Sequence, residues 1–145
     1  MRLLKSLFIR FTLFIIILAV IVLLTGCIPG HLKVSINNTE AVPVLSSNVL
    51  PVFNIDQETG RCEKSDDSVL IGRVSVDKIN YGKHRTMWSL SAEKDEVPLN
   101  KLEYGYVPKG FHELEKAEPL ALSGEYVIVV SSGYGCTGQL YFYIK

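Results

Sequence analysis

Leu122-Ser123-Gly124-Glu125-Tyr126-Val127-Ile128, continued by Val129-Val130-Ser131, is the stretch that decides the fold. Tyr126, Ile128 and Val130 recur at every second position, the period of a strand with one face buried. A Gly-rich loop from Gly133 to Gly138 follows, and then Leu140, Phe142 and Ile144 repeat the alternation. The two segments read as a hairpin at the C-terminal end of the chain.

Working outward, the same period marks Leu32, Val34 and Ile36, then Trp88 and Leu90, then Leu102, Tyr104 and Tyr106. Val49 to Ile55 is a further strand, confined to an edge or a bulge by Pro51. Val69 to Ile79 is long for a strand, and Gly72 inside it predicts a bulge or bend. Asn37-Asn38-Thr39 and Asn80-Tyr81-Gly82 are turns, while Asp56 to Ser68 and the charge run Glu93-Lys94-Asp95-Glu96 are polar loops. Phe111 to Lys116, between Gly110 and Pro119, has room for one or two helical turns. Seven short strands and little helix predict a mainly β, antiparallel sandwich over residues 32–145 with Trp88 in its core. Leu122 to Ile128 also resembles the corner of immunoglobulin-like sandwiches, where a Tyr near the start of the penultimate strand turns its hydroxyl back to nearby backbone. That resemblance implies an immunoglobulin-like arrangement of about seven strands.

The N-terminus has a different character. Arg2, Lys5 and Arg10 carry positive charge with no acid nearby, and Leu13 to Leu24 is continuously apolar. A spanning helix needs about 20 apolar residues, so the shorter run fits a signal peptide over residues 1–26. Leu24-Thr25-Gly26-Cys27 resembles the lipobox of bacterial lipoproteins, which implies lipidation of Cys27 and a tether of residues 27–31. The competing reading is an uncleaved helix with Cys27 as an ordinary thiol. Position 28 holds Ile rather than the Asp that favours inner-membrane retention, so the resemblance implies an outer-membrane lipoprotein facing the periplasm.

Removing 26 of 145 residues leaves 119, and three of the 15 basic residues leave with the signal while all 15 acidic ones stay, a balance of −3. A mildly acidic domain has no electrostatic footprint for nucleic acid. Cys62 and Cys136 are then the two remaining cysteines, and in an oxidising compartment a disulfide between them is expected. Free thiols or metal ligation compete with that reading, but neither Cys has a second Cys or a His at ligand spacing. Both fall in predicted loops, so the bond would not be the bridge between sheets found in antibody domains.

Sequence features that suggest chemistry fail on context. Gly133-Tyr134-Gly135-Cys136-Thr137-Gly138 spells G-x-G-x-x-G, yet a strand follows where the dinucleotide fingerprint needs a helix. His31, His84 and His112 are scattered, and Asp66-Asp67 and Glu113 with Glu115 read as solvated surface. The expectation is a non-enzyme with no cofactor, no metal and no small-molecule substrate.

Ile28-Pro29-Gly30-His31-Leu32 directly after the lipobox, with Tyr104-Gly105-Tyr106-Val107-Pro108-Lys109-Gly110-Phe111, Pro119-Leu120 and Gly124-Glu125-Tyr126, resembles a family of small enterobacterial lipoproteins described as immunity proteins of the type VI secretion system. The resemblance implies a protein that binds and neutralises a toxin delivered into the periplasm. A structural or envelope-assembly lipoprotein is the alternative. If the last strand is a sheet edge, alternation turns Tyr141 and Tyr143 outward, and Tyr134, Phe111, Glu113 and Glu115 extend the same patch toward a basic partner. Tyrosine suits such a role because it buries much area at little entropic cost. Cross-strand pairing of Tyr141 and Tyr143 is the simpler reading of the two.

Overall fold

A computed structural model describes residues 15, 30–36, 43–46, 49–59, 62, 64–65, 67–133 and 135–145. Apart from residue 15, the predicted signal peptide lies outside the described residues, as do Cys27 and Tyr134. The domain is mainly β. Its strands are β1 (His31–Ile36), β2 (Val44–Leu45), β3 (Val52–Thr59), β4 (Lys64–Ser65), β5 (Ser68–Ile71), β6 (Arg73–Asn80), β7 (Lys83–Ala92), β8 (Val97–Leu99), β9 (Lys101–Glu103), β10 (Phe111–Glu115), β11 (Gly124–Ser131) and β12 (Thr137–Ile144).

β11 is the centre of the larger sheet because both its edges are paired along nearly all its length. It runs antiparallel to β12 from Gly124↔Ile144 to Ser131↔Thr137 and antiparallel to β6 from Glu125↔Ile79 to Ser131↔Arg73. The full order is β10-β7-β6-β11-β12-β1-β3-β9, with β2 also against β12, while β4-β5-β8 form a second, small sheet. Only the pairings of β12 with β1 and β2 are parallel among the described strands.

The alternating residues meet in one core. Phe142 of β12 stacks on Tyr126 of β11 at 5.4 Å and takes Phe53 of β3 edge-on at 5.6 Å. Trp88 of β7 meets the Tyr104 ring, just past β9, at 5.2 Å. These last two stand near opposite ends of the strand order, so the sheet curls until its ends face each other and close a sandwich-like core. Burial drives the curl, since each Val, Leu, Ile or Phe removed from water contributes about 1.5–3 kcal/mol.

The corner expected at Tyr126 is present. Its hydroxyl accepts the Ala121 N–H at 2.7 Å and lies 3.3 Å from the Ala121 carbonyl, to which it donates. Gly124 makes room for the ring: a Cβ there would stand 2.6 Å from Tyr126 Cε2 and 2.7 Å from its hydroxyl oxygen. Gly124→Ala is therefore expected to destabilise the domain by about 2 kcal/mol through overpacking. A lower urea midpoint at unchanged slope is the signature, and an unchanged midpoint would show that the corner tolerates the methyl group.

Several expectations need correction. The strands number twelve among the described residues, and the predicted loop from Asp56 to Ser68 contains the end of β3 and all of β4. Phe111 to Lys116 forms no helical turns, because β10 finds partners on β7, Phe111 opposite Ala92 and His112 opposite Ser91. Leu102 to Tyr106 stops at Glu103, leaving Tyr104 buried and Tyr106 exposed. β3 is not an edge strand. Pro51 stands just before it and the Pro51 carbonyl accepts the Tyr104 N–H at 2.9 Å, so the missing proline donor is not needed. β12, conditionally placed at an edge, is interior to the sheet.

Gly72 does bend the long third segment, and the bend transfers the chain from the small sheet to the large one. Its N–H donates to Ser131 at 2.9 Å and its carbonyl accepts from Ala92 at 2.8 Å, so the transfer point is held on both sides. Nearby, Cys62 and Cys136 form a disulfide with Cα atoms 5.8 Å apart. It joins the residues between β3 and β4 to the residue before β12, as the loop placement implied.

Candidate protein-binding face

Alternation along β11 turns Glu125, Val127 and Val129 away from the core, and the register carries this outer face across its neighbours. One row reads Thr86, Asp77, Val127, Tyr141 and the next reads His84, Ile79, Glu125, Tyr143. Tyr141 and Tyr143 are 37% and 39% exposed, so they point outward although β12 is not an edge. The second row continues to exposed Val44 of β2, opposite Tyr143.

Each tyrosine lies across from a non-aromatic residue, Tyr141 from Val127 and Tyr143 from Glu125. Both therefore pair across strands, Tyr141 with a β-branched residue and Tyr143 with a carboxylate, while staying partly exposed. A hydrogen bond to the Glu125 carboxylate raises the Tyr143 phenol above its usual pKa and keeps the hydroxyl a donor. On the adjacent row, Asp77 Oδ1 is buried with no hydrogen-bond partner among the described residues, and Oδ2 lies 3.8 Å from His84 Nδ1.

The remaining candidates do not join this face. Phe111 is 4% exposed and belongs to the core. Glu113 stands opposite Leu90, on the core side of the sheet's edge, where its Oε1 accepts the Trp88 Nε1–H at 3.1 Å. Sequence reading had no means to see that role, since it depends on β10 being a strand. Glu115 is exposed and opposite Ser89, but β7, β6 and β11 separate β10 from β12. Four strand spacings amount to about 19 Å, so Glu115 is not part of the tyrosine patch. Tyr134 lies outside the described residues.

Asp77, His84 and Val44 were missed. The first two become neighbours only when the hairpin around Tyr81-Gly82 is registered residue by residue, and a bulge between Val76 and Asp77 shifts that register. A separate groove of about 500 Å³ lies where β1 and β12 begin, lined by His31, Leu32, Glu58, Thr137 and Gln139 among others. Among the described residues no three His, Cys, Asp or Glu side chains converge as metal ligands. No family model matches the chain, and neither the curated proteins nor the solved structures give a match.

Proposed function

We propose that the chain is an outer-membrane lipoprotein, anchored through Cys27, that binds and neutralises a protein toxin delivered into the periplasm. The observation that carries the protein-binding part is the pair of outward tyrosines on an interior strand, with exposed Val44 opposite Tyr143. Tyrosines presented by a paired strand lose little freedom on docking, which favours tight association. The lipobox, the polar n-region and the resemblance of Tyr104 to Phe111 and Gly124 to Tyr126 to immunity lipoproteins support the rest.

The test is contact-dependent competition between a strain lacking the gene and its own parent. The deletion strain is expected to be killed and to be rescued by the wild-type gene. Cys27→Ala should move the domain to the soluble fraction. The Tyr141→Ser, Tyr143→Ser double variant should weaken partner binding by about 2 kcal/mol, or roughly 30-fold, and lose protection accordingly. Equal survival with and without the gene would reject the toxin-neutralising role. Full protection by a well-folded double variant would reject the tyrosine face.

A further inference from the structure

β12 changes partner along one of its edges, and the change leaves a gap. On the side away from β11 it meets β1 in parallel at His31↔Thr137, and β2 in parallel at Tyr143↔Val44 and Ile144↔Leu45. Among the described strands no register joins it to either of them from Gly138 to Phe142. β1 meanwhile stays paired with β3 throughout, from His31↔Thr59 to Ile36↔Phe53, so it leaves β12 by following β3. Gly138 marks the point of divergence. A Cβ there would collide with the Leu32 carbonyl oxygen and stand 2.8 Å from the Leu32 Cβ, so the two backbones touch at that residue.

Hydrogen-bond direction alternates along a strand, and the bonds at either end of the gap fix which groups face it. Thr137, Tyr143 and Lys145 donate their N–H groups to Gly30, Pro43 and Leu45. Gln139 and Tyr141 share that parity, so their N–H and C=O groups point into the gap rather than toward β11. On the opposite wall, the Ile55 N–H donates to Asn100, away from β1, so Val34, its register partner, turns its own backbone groups away from β3 and into the gap. Pro43 stops β2 from extending its ladder there. It has no N–H to offer the Tyr141 carbonyl, which is the next rung, and the pairing ends at Tyr143.

Two hollows of about 500 and 250 Å³ lie along this seam and share Leu32, Glu58 and Gln139. The smaller carries the groove past Val34 and Leu140. From Thr137 to Tyr141 the seam is about 13 Å long, room for about four extended residues.

We propose that this slot receives an extended segment of the partner protein, which completes the sheet by strand addition against β12. This mode of attachment rests on the toxin-binding reading above. A wall of alternating N–H and C=O groups recognises another backbone, because an extended chain meets it donor to acceptor at the same period. Tyr141 gives its backbone to the slot and its ring to the outer face, so a segment in the slot is continuous with the tyrosine patch and one partner covers both. Glu58, exposed and lining both hollows, supplies a counter-charge for a basic side chain on that segment. The β1 and β2 contacts bound the slot at its two ends, so it admits a short strand and not a long sheet edge.

Amide exchange in the lipoprotein purified from cells in detergent micelles tests the slot. Gln139 and Tyr141 should exchange at least about ten-fold faster than Leu140 and Phe142, whose N–H groups face β11. Equal protection at all four would show that another segment of the same chain or a second copy fills the slot, and would overturn the proposal. In cells challenged by the parent strain, Gln139→Pro removes the N–H that faces the slot while leaving the β11 ladder its bonds, and survival should fall at least about ten-fold. Gln139→Ala keeps that N–H and should protect as wild type does. Loss of protection by both would assign the effect to the side chain and overturn strand addition, as would full protection by the folded proline variant, with the proposed function left standing. If the proline variant melts early, an ester in place of the Tyr141 amide deletes one N–H and keeps the ring. A fall in survival of about five-fold supports the proposal, and wild-type survival overturns it. Should wild type itself fail to protect, the toxin-neutralising function falls and strand addition falls with it.

Discussion

Replacing Trp88 with Ala is expected to lower the unfolding free energy by about 4 kcal/mol, the middle of the range for a buried Trp or Phe truncated to Ala. Trp88 is fully buried, its ring lies 5.2 Å from that of Tyr104, and its Nε1–H donates to Glu113 at 3.1 Å. The substitution therefore removes three things at once: the core volume, the edge-to-face contact that joins β7 to the far side of the curled sheet, and the donor that satisfies Glu113. For a domain of this size such a loss corresponds to a fall in melting temperature of about 15 °C. Trp88→Phe keeps most of the ring packing and should cost about half as much. The comparison is informative because Glu113→Gln keeps an acceptor for the indole and should be nearly silent. A loss below about 1 kcal/mol for Trp88→Ala would mean that the indole is not buried as described.

Breaking the disulfide is expected to have an effect of similar size. Cys62 and Cys136 are separated by 74 positions, and closing a loop of that length restrains the unfolded chain by about 4 kcal/mol in the chain-entropy model. The bond also sits beside Thr137, whose N–H holds Gly30, so it braces the point where the domain meets its tether. The Cys62→Ser, Cys136→Ser variant should melt about 15 °C below wild type, and reductant should move wild type by the same amount while leaving the variant unchanged. Thiol labelling of denatured, unreduced protein should find neither cysteine free. Labelling of both would refute the bond, and a reductant effect on the variant would assign the shift to something else.

Both predictions involve contacts whose legibility in the sequence differed. Cys62 and Cys136 were paired by elimination, as the two left in an oxidising compartment. Burial of Trp88 followed from alternation with Leu90. Its partner did not, because Phe111–Glu115 has one buried residue followed by four exposed ones, and an edge strand of that kind carries no alternation to read. Glu113 was accordingly assigned to a surface patch, when its carboxylate turns toward the core.

What the sequence determined by itself was the inward face of its clearest alternating strands. Tyr126, Ile128 and Val130, Leu140, Phe142 and Ile144, and Leu32, Val34 and Ile36 are all buried as their alternation requires. Period two is a local property of the chain, so it survives without knowledge of any partner strand. The corner at Tyr126 and the bend at Gly72 were local for the same reason. Beyond the β11–β12 hairpin, tertiary structure alone decided which strands adjoin, since backbone hydrogen bonds between strands carry no side-chain signature. β3 therefore acquired two neighbours despite Pro51, and β12 became interior rather than an edge. It alone placed Tyr143 beside Glu125 and Val44, which come from segments far apart in the chain.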